Sequence, residues 1–271
     1  NNCSFTDNDI DVQGYGIEVQ NGSNHILAGN IITNFENRGI YFESSQYCII
    51  NNNRIISANT GAGKAGIWNG SGEDQFAIIS DNYVYVYNDD YRDSHIYGIY
   101  AHGSEIFSDS VIVDQNNYCN WGGAIFSDRS TIINNYIDVS DDSDDCHYSN
   151  GNYKGIDIIR SYGSEDNRTH IENNTIIARN YTRGIWASYA DISNNTMTGI
   201  ANNYWAIGHG VNNIITGNTI TDMLHGIQAS GQSDNVIDGN NIQVSNTGIN
   251  GDGAQNLSVT NNTFEIGSGR F

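Results

Sequence analysis

Short apolar clusters punctuate this chain at a steady interval, and polar residues, Gly and Asn separate them. One cluster recurs as an apolar residue, two small or polar residues, Asn, any residue and a further apolar residue. Leu27-Ala28-Gly29-Asn30-Ile31-Ile32 is an example. The Asn returns at Asn53, Asn82, Asn116, Asn135, Asn174, Asn195, Asn218, Asn240 and Asn262. Between these positions falls a second pattern, Gly-Ile or Ala-Ile followed by a residue that is often aromatic. It runs from Gly16-Ile17 and Gly39-Ile40 through Ala124-Ile125 to Gly248-Ile249. Alternation inside each cluster has the period of strands, and the clusters are too short for helices.

So short a repeat leaves room for three short strands and their bends. One such coil cannot bury its own inward residues, whereas stacked coils, about 4.8 Å apart, bury Ile on Ile. The pattern therefore predicts an all-β parallel solenoid: one domain over 1–271, about ten coils, three short strands per coil. Ile50, Ile79, Val113, Ile132, Ile171, Ile192, Ile215, Ile237 and Val259 form one expected inward column. The repeated Asn suits a bend, because Asn tolerates left-handed backbone, and stacked Asn side chains can bond along the axis. Proline, which would remove ladder donors, is absent.

Departures from the repeat are where chemistry is expected. Insertions fall at 57–65, 86–97 and 139–154, each before a Gly-Ile. The last carries Asp141, Asp142, Asp144 and Asp145. Clustered carboxylates on a loop are a candidate Ca²⁺ site, the one cofactor the chain suggests, or a solvated acidic loop. The residue after each Gly-Ile points outward if Ile points in. Tyr41, Trp68, Tyr100, Phe126 and Trp186 then form an external stripe with Asp157 among them. Such a stripe serves as a sugar platform, as a contact between subunits, or as a surface covered by the insertions.

Composition narrows the partners. The formal net charge is −20 with 11 Lys and Arg in 271 residues. That repels nucleic acid and anionic membranes. No stretch is long and apolar enough to span a membrane. The chain begins Asn1-Asn2, which reads as a processed or trimmed chain. Four cysteines, with Asn-x-Ser/Thr triplets, suit an extracellular or cell-surface setting. Cys119 and Cys146 are expected at one corner of adjacent coils, close enough for a disulfide. Cys3 and Cys48 stand about two coils apart, with Cys48 buried. No capping helix is evident, so head-to-tail or lateral self-association is one expectation, and flanking domains of a longer protein are the other.

The Asn-turn and Gly-Ile repeats resemble the parallel β-helix of the pectate-lyase-like superfamily, over essentially the whole chain. The resemblance implies a right-handed coil and a link to polysaccharides. It does not name an activity, since that superfamily holds lyases, hydrolases, tailspikes, adhesins and structural proteins. A uronate β-elimination needs a base and a positive group. Lys154, Arg160 and Arg183 are the set that would supply them, or else Arg160 and Arg183 are ordinary acid-pairing surface residues. Gly208-His209-Gly210, Asp144-Asp145-Cys146 and Gly155-Ile156-Asp157-Ile158 echo polygalacturonase motifs, but the Gly-Ile-Asp element follows the Asp-Asp element here, the reverse of that family's order, and the match is read as coincidence. Two functions follow: a structural solenoid of a surface assembly built by stacking, and a polysaccharide-binding or polysaccharide-degrading protein.

Overall fold

The computed structural model describes residues 2–57, 64–70, 76–88, 95–115, 122–141, 153–158, 167–200, 204–208 and 210–267, with the backbone alone at Asp141. Every element in them is a strand and every pairing is parallel. One face is an 11-stranded sheet running from Ser4–Thr6 to Ser258–Thr260. The other two faces join into a 19-stranded sheet, because strands such as Thr219–Gln228 bend from one face onto the next. Each coil thus contributes a strand to a first, a second and a third face, and about ten coils stack.

The interior is built from three columns of branched apolar residues. On the first face Leu27, Ile50, Ile79, Ile106, Ile132, Ile171 and Ile192 pair in register. All seven are fully buried. Ile106, not Val113, holds the fifth coil's place. Val113 lies on the second face between Val86 and Val139. The third face supplies Ile40, Ile67, Ile99, Ile125, Ile156 and Ile185, the Ile of the Gly-Ile pattern. β-branched side chains suit this pleated, fully buried setting.

The Asn residues form the expected ladder at the corner between the first two faces. Asn30 Nδ2 donates to Asn53 Oδ1 at 2.9 Å, and Asn53 Nδ2 to Asn82 Oδ1 at 2.9 Å. The ladder resumes from Asn135 through Asn174, Asn195, Asn218 and Asn240 to Asn262. Two expectations need correction here. The slot assigned to Asn116 belongs to Asp109, whose Oδ1 accepts from Asn82 Nδ2 at 2.9 Å. Asn116 lies outside the described residues. The left-handed residue is also not the ladder Asn but the one before it, as at Asn52 (φ 54°), Asp81 (φ 56°) and Asn134 (φ 59°). The turn residue bends the chain, which frees the next Asn to point inward and bond along the axis.

Cys3, His25 and Cys48 fall at equivalent positions of three successive coils, at the entry to the first face, with Cys48 already the first residue of its strand. His25 Nδ1 accepts from the Cys3 backbone at 3.0 Å. The two thiols are free, Cys3 exposed and Cys48 buried. Two coil steps, about 9.6 Å, are too far for a direct bond. Burial pushes the Cys48 thiol up to about 11. Cys119 and Cys146, and hence their proposed bond, lie outside the described residues.

Candidate functional site

The outer side of the third face gathers a run of aromatic rings and the buried cations Lys154 and Arg183. Its register follows the expected outward column: Tyr41 pairs with Trp68, Trp68 with Tyr100, Tyr100 with Phe126, Phe126 with Asp157 and Asp157 with Trp186. Three residues earlier on the same strands runs a second column: Arg38, Ala65, Tyr97, Gly123, Lys154, Arg183, Trp205 and His225.

In the earlier coils the rings stack on one another. Trp68 and Tyr100 lie 3.9 Å apart at 5°, and Tyr100 and Phe126 4.8 Å apart at 16°. The Arg38 guanidinium sits between Tyr41 and Trp68, 4.3 and 4.4 Å from their ring centres. Tyr97 packs its ring against Trp68, Tyr100 and Phe126, and burial raises its hydroxyl well above the usual phenol range. Parallel rings stacked from coil to coil turn their faces along the solenoid axis and their edges outward. Their faces are occupied by each other. A sugar arriving from outside meets edges.

The character changes at Asp157. Lys154 Nζ lies 2.7 Å from Asp157 Oδ2 on the same strand. Arg183, in register with Lys154 one coil on, lays its guanidinium 3.9 Å from the Trp186 ring centre. The indole in turn covers Gly208, where a Cβ would run into it. Lys154 and Arg183 are both buried, Arg183 to 9% exposure. Burial lowers Arg183 to about 10, opposed by Tyr204 and Asp157, so it stays charged at neutral pH. Burial raises Asp157 above its ordinary value, opposed by Lys154 and Arg183. Two cations face one carboxylate, so the ionised cluster carries +1.

This stretch also holds buried polar atoms without hydrogen-bond partners: Arg183 Nε, His225 Nδ1 and Gln228 Oε1. His225 stacks on Trp205 at 4.4 Å and 21°, and burial lowers its pKa. At the edge of the aromatic stack His102 Nδ1 lies 2.6 Å from Asp128 Oδ1.

The structure thus brings together Lys154 and Arg183 from the expected cationic set, while Arg160 lies outside the described residues. So do Asp142, Asp144 and Asp145 of the expected Ca²⁺ loop and the side chain of Asp141. Among the described residues no group of three His, Cys, Asp or Glu is placed to hold a metal, and no helix is long and apolar enough to cross a membrane. Trp205, His225 and the His102–Asp128 pair were not singled out in the sequence. Their signal was available, since each occupies a fixed offset from Gly-Ile or from the aromatic that follows it.

Residues 1–105 match the family model described as the right handed beta helix region. No curated protein matches. Among solved structures, a PL6 alginate lyase in complex with a trisaccharide aligns with 89% of this chain and 54% of its own, at 14% identity and a TM-score of 0.56. The Dettilon tailspike protein aligns with 97% of this chain and 54% of its own, at 16% identity and a TM-score of 0.49. The chain spans about half the length of each. At so low an identity the likeness to the lyase speaks for the fold alone. Repeat and register make the chain a parallel β-helix across its described residues, and residues 1–105 match the right-handed form of that fold.

Proposed function

We propose that this protein binds an acidic polysaccharide along the outer side of its third face, with a uronate carboxylate received between Lys154 and Arg183. One observation carries the reading. Arg183 is buried with its Nε unpartnered, beside a second buried cation, in a chain of net charge −20. A buried guanidinium without a full set of acceptors is costly, and an arriving carboxylate supplies them in a fork geometry. Trp186 gives the sugar ring an apolar wall, and His225 and Gln228 offer further polar atoms in the following coils. The alginate lyase likeness and the polysaccharide link of the fold support the same class of ligand.

Binding is favoured over β-elimination. A general base must reach the substrate's proton with a free lone pair, and Lys154 Nζ is already engaged by Asp157 Oδ2 at 2.7 Å. The test is titration calorimetry with alginate oligosaccharides, polygalacturonate oligosaccharides and a neutral glucan. Saturable binding to an acidic glycan, weakened at least tenfold by Arg183→Gln, is expected. Equal affinity for the neutral glucan, or an Arg183→Gln variant that binds as well as the parent, sinks the reading. Appearance of unsaturated uronate absorbance during the titration would add catalysis to it.

A second reading, stacking of copies into a surface assembly, has a different observation behind it. Gly248, Ile249, Gly251, Leu257, Val259, Phe264 and Ile266 line an apolar hollow of about 350 Å³ at the last described coils. Apolar surface of this kind gains by being covered. Sedimentation velocity across a range of concentrations tests it. A single monomeric species throughout rules stacking out for this chain.

A further inference from the structure

The amide ladder has one rung of different chemistry. We propose that Asp109 stands in it as an un-ionised carboxylic acid, a proton-dependent joint between the coil bearing Phe126 and the coil bearing Lys154 and Asp157. Asp109 is 1% exposed. Its Oδ1 does what every ladder Oδ1 does, accepting from the rung below: Asn82 N at 2.7 Å and Asn82 Nδ2 at 2.9 Å. Its backbone N–H also follows the pattern, donating to Asn135 Oδ1 at 2.9 Å.

The other terminal atom decides the chemistry. In an ordinary rung it is an amide nitrogen that faces two acceptors. Asn82 Nδ2 donates to the Ile50 carbonyl at 2.9 Å as well as to the rung above, and Asn135 Nδ2 to the Ile106 carbonyl at 3.0 Å and Asn174 Oδ1 at 2.9 Å. The acceptor carbonyl always belongs to the inward first-face residue of the coil below. At Asp109 the same slot is filled by Oδ2, which is buried and has no hydrogen-bond partner. The repeat sets it against the Ile79 carbonyl and Asn135 Oδ1, both acceptors. A carboxylate there meets two oxygens with no proton between them. A carboxylic acid donates to one of them and restores the rung.

The surroundings agree. Burial pushes the Asp109 carboxyl up to about 7, against the bonds from Asn82, and Asp81 in the coil below pushes the same way. From the coil above come Asn134 and Asn135, which are uncharged. On its own coil Glu105 and Asp114 occupy outward strand positions. No cation opposes the shift.

The sign follows from the raised value. The folded chain holds this proton more tightly than the unfolded chain, whose carboxyl titrates near its ordinary value. The stabilisation is therefore complete below that ordinary value, declines as pH rises, and is lost as pH passes about 7. A gap of about three units corresponds to roughly a thousandfold in the unfolding equilibrium. Ionisation weakens the step between the aromatic stack and the cationic pair, not the ladder as a whole.

Asp109→Asn supplies the missing amide hydrogens in the same shape. Urea unfolding of parent and variant, at pH values from about 5 to about 8, is the test. His25 and His225 titrate in both proteins, so their contributions cancel in the comparison. The variant's advantage is expected to grow with pH, by about a hundredfold in the equilibrium between pH about 5 and about 8. Parallel pH profiles overturn the proposal. Should the variant fail to fold, infrared difference spectra of the parent against pH decide the matter. A buried protonated-carboxyl band that persists to pH about 6 and fades above about 7 supports the acid, and its absence at the lower pH overturns it.

Discussion

Single residues in this protein are used mostly for what they offer along the axis. Asn195 shows it most fully. Its Nδ2 donates to Asn218 Oδ1, the Ile171 carbonyl and the Ser193 carbonyl, and its Oδ1 accepts from the backbone and side chain of Asn174. Asn195→Ala leaves several of these groups buried and unmatched, at about 1–3 kcal/mol each where no water enters. A loss of about 3 kcal/mol or more is expected in denaturant unfolding. Tyr100 separates stability from binding. Tyr100→Ala removes a ring stacked on both sides and should cost about 2–3 kcal/mol of stability, yet leave acidic-glycan affinity within about twofold of the parent. A tenfold loss of affinity would instead make the aromatic stack part of the ligand surface. Asp157 sets the pH profile of binding. Its raised carboxyl protonates before an ordinary one, which takes the cluster from +1 toward +2. Affinity for a uronate glycan should therefore rise as the pH is lowered from neutral, ahead of the ordinary carboxylate range, and fall again once the ligand's own carboxylates protonate.

At the scale of the strand and corner, the Gly-Ile pattern has a steric cause. A Cβ at Gly98 would run into Val111 Cγ1 and sit 2.6 Å from the Ala124 carbonyl oxygen, and a Cβ at Gly66 meets the same pair of obstacles from Val84 and Gly98. Neither glycine has a left-handed backbone. The need is for room between face and core, not for a special φ. Gly98→Ala should destabilise the protein by about 1–3 kcal/mol, the usual cost of overpacking a core, read as a lowered urea midpoint. This element is legible in the sequence because Gly-Ile or Ala-Ile recurs once in every coil. The Asn turn is legible everywhere but once. A search for Asn passes over Asp109 and settles on Asn116, which makes one step between rungs too long and the next too short. With Asp109 in place the steps are 27 and 26. Uneven spacing is the warning, and the chemistry explains the miss: a protonated carboxyl does an amide's work under a different letter. Val113 is misplaced for a related reason, since an inward Val on the second face and one on the first share the same pattern.

For the molecule as a whole, the fold can be read from periodicity, but the site cannot be read from it alone. The repeat already places Lys154 and Arg183 near one another, but the coil-to-coil register is what sets them side by side over Asp157. Insertions of unequal length hide that register in the sequence. What an outward side chain does depends on its neighbours above and below: the same column is a closed ring stack at Trp68 and a largely buried charged cluster at Asp157. Net charge acts on the whole chain. With −20 on the chain, self-repulsion opposes the compact state, and salt screens it, from a range of about 30 Å at 0.01 M to about 8 Å at 0.15 M. Added NaCl should raise the thermal midpoint while weakening uronate binding, opposite responses to one variable, checked by scanning calorimetry and titration on the same preparation.

The ladder has a direction. Each side-chain amide from Asn8 to Asn240 that donates to a neighbouring rung donates toward the later coil. These dipoles lie head to tail, and bonds arranged so polarise one another. The column is thus a one-way electrostatic axis, with its acceptor end at the early coils and its donors aimed at the late ones. A coil can join it only in one sense. Inverted, it would set oxygen against oxygen or nitrogen against nitrogen at every rung. The solenoid therefore carries an internal arrow that fixes how any further coil, from this chain or another, can be added.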